Sequence, residues 1–243
     1  MKTLAIIQAR VGSTRLPRKV LMDLGGETVL ARVIHRLSRS RLVSKVIVAT
    51  TDSPADIAIV GECQRLGVSC FRGSEHDVLD RYYQAARAAI AESVVRITSD
   101  CPLIDAELVD DTVRIFVERQ ADYSSNVFPR TYPRGLDVEV FTMAALDRAW
   151  REAGQPCHRE HVTTYFYEHP ETFRLVFTRS QSDYSAHRWT VDTPDDLELL
   201  RNIYSRFGNQ DNFGWREVIM LMEREPELAE LNTHVIQKSV NPS

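Results

Sequence analysis

The stretch that decides the fold opens with Leu4-Ala5-Ile6-Ile7 and continues as Gln8-Ala9-Arg10-Val11-Gly12-Ser13-Thr14-Arg15-Leu16-Pro17-Arg18-Lys19. The apolar start is typical of a buried strand, and the polar continuation indicates a loop at its carboxyl end. The loop carries four cations, a glycine and a Ser-Thr pair. Glycine lets a backbone approach a ligand closely, and Arg and Lys supply the charge that phosphates need. The loop therefore predicts a polyphosphate site, with a solvated basic loop as the alternative. It lacks the glycine spacing and the Gly-Lys-Ser/Thr ending of a P-loop.

Strand and helix patterns alternate through the first half of the chain. Short apolar runs predict strands at 4–8, 45–50, 68–71 and 94–98, and amphipathic periodicity predicts helices at 28–37, 77–91 and 105–117. A further helix is expected to start at Ser53-Pro54, with Ser53 as N-cap and Asp56 in capping-box-like spacing. This alternation predicts an α/β protein with a mostly parallel sheet that helices cover on both faces.

The second half of the chain is less regular. Its patterns predict strands at 121–125, 136–141, 173–177 and 188–191, and helices at 144–152, 158–169, 194–207, 215–224 and 227–231. We expect one domain over residues 1–243, within which residues 126–187 form an irregular subregion. That subregion carries aromatic residues that could face a partner or complete the core, namely Phe128, Tyr132, Tyr165, Phe166 and Tyr167.

Composition limits the classes of partner. The chain has 243 residues and a formal net charge of −4, which argues against a nucleic-acid-binding surface. The first apolar run is too short for a signal peptide or a membrane span, so no membrane partner is expected. The four cysteines form no Cys-x-x-Cys pair, which favours reduced thiols and a cytoplasmic protein.

The sequence Asp-x-Pro recurs three times where a predicted strand meets a predicted helix, beginning at Asp52, Asp100 and Asp192. In a parallel sheet the carboxyl ends of the strands border the ligand crevice, although an Asp there can also merely cap the next helix. We keep the capping interpretation for Asp52. Mg²⁺ takes one or two carboxylates and completes its shell with phosphate oxygens and water, so Asp100 and Asp192 are candidate ligands of Mg²⁺, or of Mn²⁺.

Two other acidic positions have alternative interpretations. Asp137 and Glu139 lie on one side of a predicted strand, where they could contact a substrate or a metal, or line a solvated or dimer surface. Asp77 and Arg81 stand four residues apart and are expected to pair along their helix. A zinc site at 157–161 is excluded, because neither a His-Glu-x-x-His sequence nor a second nearby cysteine is present.

The loop at 8–19 closely resembles the amino-terminal signature of the cytidylyltransferases that activate acidic sugars, a group that includes the CMP-3-deoxy-manno-octulosonate and CMP-acylneuraminate synthetases. The resemblance is closest to the spore-coat polysaccharide biosynthesis nucleotidyltransferase branch, and it extends from Gln8 to about Leu197. Its other carriers are the sequences Phe71-Arg72-Gly73-Ser74-Glu75-His76-Asp77-Val78-Leu79-Asp80-Arg81, Ser99-Asp100-Cys101-Pro102-Leu103, Gly135-Leu136-Asp137-Val138-Glu139 and Val191-Asp192-Thr193-Pro194-Asp195-Asp196-Leu197.

This resemblance implies a Rossmann-like sheet of the nucleotide-diphospho-sugar transferase type and a Mg²⁺-dependent transfer of CMP from CTP to a small acidic acceptor, with release of pyrophosphate. The choice of cytidine rests on the resemblance alone. The implied catalytic residues, which hold the β- and γ-phosphates, are Arg10, Arg15 and Lys19. Other implied nucleotide contacts are Gln8, Ala9, Gly12, Ser13, Arg72, Gly73 and Ser74. The implied metal ligands are Asp100 and Asp192, and the implied acceptor contacts are Asp137 and Glu139.

The resemblance also implies that the 126–187 subregion is the acceptor and dimerisation region, through which a homodimer forms. Three alternatives for function remain open. The chain could be a metal-dependent glycosyltransferase that consumes a nucleotide sugar, it could transfer the cytidylyl group to a phosphonate or phosphate, or it could be a nucleotide sensor or scaffold without turnover. The sequence does not identify the acceptor.

Overall fold

A computed structural model of the chain describes residues 2–237. Its strands are β1 (Thr3–Gln8), β2 (Asp23–Leu24), β3 (Glu27–Thr28), β4 (Lys45–Thr51), β5 (Ser69–Gly73), β6 (Ser93–Thr98), β7 (Tyr123–Ser125), β8 (Glu139–Thr142) and β9 (Leu175–Phe177). Its α-helices are α1 (Val29–Leu37), α2 (Ile57–Arg65), α3 (Val78–Ala88), α4 (Ala106–Glu118), α5 (Met143–Glu152), α6 (Pro156–His161), α7 (Thr164–Glu168), α8 (Pro194–Arg206), α9 (Trp215–Arg224) and α10 (Glu227–Glu230). Within this range, no helix is long and apolar enough to cross a membrane.

Seven of these strands form one sheet in the order β5-β4-β1-β6-β8-β7-β9. Strands β5, β4, β1 and β6 are parallel neighbours, and β7 pairs in parallel with β9. Strand β8 runs antiparallel to both of its neighbours, β6 and β7. The predicted α/β class with a mostly parallel sheet is therefore confirmed.

Helices cover both faces of this sheet, because successive strand residues point to opposite sides. In β1, Ala5 and Ile7 pack into the core beneath α1, α4, α8 and α9, whereas Ile6 packs into the core beneath α3, α5 and α7. All three side chains are fully buried. Strand β1 is therefore buried on both faces, and its polar residues lie only at its two ends.

The predicted strand at 188–191 is wrong. Instead, Arg188 forms a single parallel bridge with Arg134, and the backbones on either side are held by hydrogen bonds from Arg134 N to His187 O (3.0 Å) and from Trp189 N to Arg134 O (2.7 Å). Gly135 permits this contact, because its φ is +105° and a Cβ there would lie 2.5 Å from Trp189 O. The bridge brings residues 134–137 and 188–192 side by side.

The predicted helix at 158–169 is also wrong, because the segment forms the two short helices α6 and α7. Val162, between them, has φ +64°, a backbone conformation that interrupts any helix. Val162 and the following Phe166 are fully buried, so packing against the sheet determines the path of the chain here more than helical periodicity does.

Candidate active site

A cleft of about 740 Å³ opens along the edge of the sheet where the parallel strands end. Ligand crevices in parallel sheets lie at this edge. The loop after β1 forms one wall, and the residues at the end of β6 form the floor. The rest of the lining comes from the segments around 75–81, 134–137, 160–161 and 190–192. Of the predicted site residues, the cleft brings together Gln8, Ala9, Arg10, Gly12, Ser13, Arg15, Lys19, Asp100, Asp137 and Asp192.

The loop after β1 is shaped by hydrogen bonds to its own backbone and to one buried acid. Val11 O accepts from Ser13 N (2.9 Å) and from Arg18 N (3.0 Å). Val11 N donates to Asp56 Oδ1 at 2.7 Å, and the Thr51 hydroxyl donates to the other oxygen of the same carboxylate. The predicted capping role of Asp56 is therefore wrong, and Ser53 makes no side-chain cap in this helix. Asp56 is instead a buried anchor of the loop.

The ammonium group of Lys19 is the centre of the cleft floor. It donates to Asp100 Oδ2 (2.7 Å), to Asp192 Oδ1 (2.8 Å) and to the backbone oxygen of Val191 (2.7 Å). Burial by itself lowers the pKa of Lys19, but the charges of Asp100 and Asp192 outweigh burial and raise that pKa above its usual value. Lys19 is therefore charged, and all three of its protons have oxygen partners.

Asp192 lies among cations. Besides Lys19 on Oδ1, its Oδ2 contacts Arg15 (2.9 Å) and Arg188 (2.7 Å). Burial raises the pKa of this carboxyl, but the neighbouring charges, led by Lys19 and then Arg15, outweigh burial and hold the pKa below its usual range. Asp192 follows the strand-like bridge segment and precedes Thr193, which is the N-cap of α8 and forms a capping box with Asp196.

The two acidic residues predicted to bind the acceptor occupy different environments. Asp137 lies before β8 and lines the cleft, where Arg130 binds both of its oxygens at 2.5 and 2.9 Å. Glu139 begins β8 and is buried, with the Tyr123 hydroxyl (2.6 Å) and the Arg96 guanidinium donating to it. Of these two, Asp137 is the residue that the cleft wall exposes, and Glu139 lies behind Arg96.

The predicted nucleotide contacts Arg72, Gly73 and Ser74 lie beside the cleft and are absent from its lining in the part of the chain that the structure describes. The Arg72 guanidinium binds the backbone oxygens of residues 51–53. Ser74 accepts a hydrogen bond from Asp77 N (3.0 Å).

The predicted Asp77–Arg81 pair is wrong, because Asp77 caps α3 and binds Arg159 (2.8 Å). Arg81 turns toward the cleft instead and donates to Ser74 O. A spacing of four residues favours pairing along a helix. Here Asp77 instead caps α3 and pairs with Arg159 of α6.

Three buried polar atoms around the cleft have no hydrogen-bond partner within residues 2–237. They are Gln8 Oε1, Arg81 Nε and Arg96 Nε. Burial lowers the pKa of Arg81, and the neighbouring charge of Arg10 lowers it further. Sequence reasoning missed Arg81, Arg96 and Arg134. For Arg96 a signal existed, because a charged residue inside the apolar strand β6 needs a reason to be buried.

The residues present fit a divalent ion of the magnesium type. Asp100 and Asp192 both lie within hydrogen-bond distance of the same ammonium group, so one cationic position is shared by two carboxylates. Among residues 2–237 there is no group of three or more His, Cys, Asp or Glu side chains arranged to hold a metal. Mg²⁺ bound with a nucleotide needs only one or two carboxylates, because phosphate and water supply its other ligands.

Comparison with known proteins places the chain in a class. The model of the cytidylyltransferase family matches residues 4–226, so the chain belongs to this family of nucleotidyltransferases. An uncharacterized protein of Methanocaldococcus jannaschii is 41% identical over 242 residues, covering 98% of both proteins. The spore coat polysaccharide biosynthesis protein SpsF of Bacillus subtilis is 34% identical over 233 residues, covering 93% of this chain and 96% of SpsF.

The fold of the chain also matches a solved structure. A cytidylyltransferase from Leptospira borgpetersenii is 35% identical and superposes with a TM-score of 0.91, covering 94% of this chain and 97% of that one. The nucleotide-diphospho-sugar transferase type of fold expected from the sequence is consistent with this match, and the family resemblance seen in the loop at 8–19 is confirmed.

The anchoring of the loop by Asp56 gives a first prediction. Asp56→Ala leaves Val11 N and the Thr51 hydroxyl without their acceptor in a buried place. We expect the free energy of unfolding, measured by urea denaturation, to fall by about 1–3 kcal/mol. The exposed neighbour Asp52 is the control, and Asp52→Ala should stay within about 0.5 kcal/mol of the wild type. Equal stability of the two variants would show that Asp56 does not anchor the loop.

Proposed function

We propose that the protein transfers CMP from CTP to a small acidic acceptor, such as a sugar acid, and releases pyrophosphate. The observation that carries this proposal is the joint binding of Lys19 by Asp100 and Asp192 at the floor of a cleft whose wall is the cationic loop after β1. Membership of the cytidylyltransferase family supports CTP as the nucleotide.

The cations of the loop divide into two groups. Lys19 and Arg15 are engaged with carboxylates of the protein, so they hold the floor of the site together. Arg10 is exposed at the mouth of the cleft and makes no ion pair within the described range 2–237. Arg10 and the backbone N–H group of Gly12 are therefore the groups proposed to receive the triphosphate.

Asp100 and Asp192 are the residues that would hold a divalent ion, which when bound neutralises phosphate charge and favours departure of pyrophosphate. The reaction then needs no nucleophile from the protein. An oxygen of the acceptor attacks the α-phosphorus of CTP and forms the new P–O bond. The bond from the α-phosphorus to the bridging oxygen breaks, and that oxygen leaves with its electron pair as part of pyrophosphate. The acceptor proton passes to solvent or to the leaving group.

The wall facing the loop favours an anionic acceptor. Asp137 on this wall is already paired with Arg130, and Glu139, buried behind it, is paired with Arg96. Arg134 lines the cleft half-buried, and burial and the neighbouring charges of Arg130 and Arg188 lower its pKa. A cation in such a position gains from a negatively charged ligand. Asp137 is retained as a proposed contact for an acceptor hydroxyl, and Glu139 is proposed to act through Arg96.

The first test of this function measures pyrophosphate. With CTP and a panel of sugar acids that includes 3-deoxy-manno-octulosonate, we expect release of one pyrophosphate per CMP-linked product, with CTP preferred over the other nucleoside triphosphates. Arg10→Ala should lower kcat/KM for CTP by roughly 10²-fold, since a group that stabilises phosphate charge is lost. Arg114→Ala, which removes an exposed pair on α4, is the control. Near-normal kinetics of Arg10→Ala would exclude the assignment of Arg10.

The second test concerns the divalent ion. Chelation by EDTA should abolish the reaction, and Mg²⁺ or Mn²⁺ should restore it. Asp100→Asn and Asp192→Asn should each require much more metal for half-maximal rate. The matched control is Asp195→Asn, whose carboxylate lies in the first turn of α8 and pairs with His234 (2.9 Å). Full activity in chelator would contradict a metal-dependent reaction.

We also propose that the protein is a homodimer that uses part of the 126–187 subregion. Tyr165 and Phe166 are buried in the protein's own core, so they are not available to a partner. Phe128 is 56% exposed and stacks on Tyr167 with ring centroids 5.6 Å apart. It also lies 6.3 Å from Phe177 of β9, the last strand of the sheet. This cluster of the exposed Phe128 with two half-buried aromatic rings beside a sheet edge is the proposed contact.

Light scattering tests this assembly. We expect a dimer at micromolar concentration, since a stable interface buries at least about 1,000 Å². Phe128→Ser should shift the equilibrium toward monomer. Ile90→Ser, which alters a side chain 77% exposed just after α3, should not. A wild-type monomer at this concentration refutes the dimer, and a dimer unaffected by Phe128→Ser refutes only its location.

A further inference from the structure

The geometry points to Arg188 as a positioning residue, which fixes the carboxylate of Asp192 so that one of its oxygens faces the cleft. This inference rests on the proposed function, because it treats Asp192 as a ligand of the divalent ion. Arg188 binds Oδ2 of Asp192, the oxygen that does not contact Lys19, and its side chain is only 9% exposed. Among the described residues, Arg188 is not part of the cleft lining. It is not expected to touch CTP or the acceptor.

The guanidinium group of Arg188 joins two carboxylates. Its Nε donates to Asp196 Oδ1 (2.9 Å), and one terminal nitrogen donates to both Asp196 Oδ2 (3.2 Å) and Asp192 Oδ2 (2.7 Å). The other terminal nitrogen donates to Gln237 Oε1 (2.6 Å). Because the guanidinium group is planar and rigid, these bonds set the position of Asp192 relative to Asp196.

Asp196 is the fixed end of this chain of contacts. Its side chain is fully buried in the first turn of α8. Its Oδ2 accepts from the backbone N–H groups of Asp192 (2.9 Å) and Thr193 (3.0 Å), and its Oδ1 accepts from Asn232 Nδ2 (2.8 Å). Through Arg188, the buried Asp196 at the start of α8 therefore fixes the position of the Asp192 carboxylate at the cleft.

The consequence for Asp192 is a defined orientation. The terminal torsion of an Asp side chain is broad, so the backbone alone does not determine which oxygen faces the cleft. With Oδ2 held by Arg188 and Arg15, Oδ1 is the oxygen that meets Lys19 (2.8 Å). Among these partners in the described residues, only Arg188 is itself bound to Asp196. Without Arg188, the carboxylate of Asp192 can rotate.

A cavity beside Arg188 makes it possible to test whether the guanidinium group itself is what Asp192 needs. About 180 Å³ of space, lined in part by Arg188, Trp189 and Asn232, adjoins the guanidinium group. In Arg188→Ala this space enlarges, and a guanidinium ion from solution can enter it and replace the lost group. A purely structural role of Arg188 would change thermal stability without making the affinity for a metal depend on added guanidinium.

The experiment measures binding of Mn²⁺ to the full chain by electron paramagnetic resonance, with and without CTP and without acceptor. We expect Arg188→Ala to weaken Mn²⁺ binding by roughly 10- to 100-fold, the cost typical of removing a partner that orients a metal ligand. Arg188→Lys, which keeps the charge but lacks the planar fork, should show a smaller weakening. Millimolar guanidinium should restore binding in Arg188→Ala and leave the wild type unchanged. Arg206→Ala, which removes an exposed pair with Glu225 at the other end of α8, is the control.

The outcomes separate the two proposals. If Asp192→Asn loses Mn²⁺ binding but folded Arg188→Ala binds Mn²⁺ like the wild type, the positioning role is overturned while the metal site stands. If Arg188→Ala does not fold, wild-type affinity in Arg188→Lys overturns the positioning role. Loss of binding that guanidinium does not restore would assign the effect to altered packing and would also overturn it. If the wild type binds no Mn²⁺ even with CTP, the metal assignment in the proposed function fails, and the role of Arg188 fails with it.

Discussion

The hydrogen bonds of the Lys19 ammonium hold together three parts of the chain that are far apart in sequence. One partner is at the end of β6 and two are in the segment that leads into α8, while Lys19 itself comes from the loop after β1. A buried cation is stable only when such partners surround it, and breaking a buried ion pair leaves an uncompensated charge. The floor of the cleft therefore forms only when these three parts of the chain have come together.

This constraint also explains the distribution of charge around the cleft. Asp100, Asp192, Asp137 and Glu139 are all paired with cations of the protein. The cations that line the cleft without such a partner in the described residues include Arg10 and Arg134. A chain with net charge −4 thus presents a locally cationic cleft, which suits a triphosphate and an anionic acceptor.

Local periodicity was sufficient to predict the central sheet, and the residues at the strand ends indicated two aspartates at the edge where the cleft opens, but not that they bind Lys19. The apolar runs of β1, β4 and β6 indicated the parallel sheet, and the Asp-x-Pro sequences placed Asp100 and Asp192 at its ligand edge, where both meet Lys19. Thr193 and Asp196, three residues apart, form the capping box of α8, and such capping is a local interaction. The same chemistry was misleading at Asp56, where the backbone N–H of Val11, 45 residues away, competes for the carboxylate.

The remaining errors share one cause, which is that long-range contacts override local pattern. The segment at 188–191 has strand-like residues, but its only β-type pairing in the described residues is a single bridge to Arg134, which Gly135 makes possible. The helix expected at 158–169 is broken where Val162 is buried. Arg81 lines the cleft and does not pair with Asp77, because Arg159 from another helix pairs with Asp77. None of these partners is visible in a window of local sequence.

The measurement that tests the central claim most directly is a crystal structure with a non-hydrolysable CTP analogue and Mn²⁺, in which anomalous scattering locates the ion. The arrangement around Lys19 predicts Mn²⁺ bound by Asp100 and Asp192, with the triphosphate against residues 10–15 of the loop after β1. A triphosphate bound outside this cleft, or Mn²⁺ bound by neither aspartate, would contradict it.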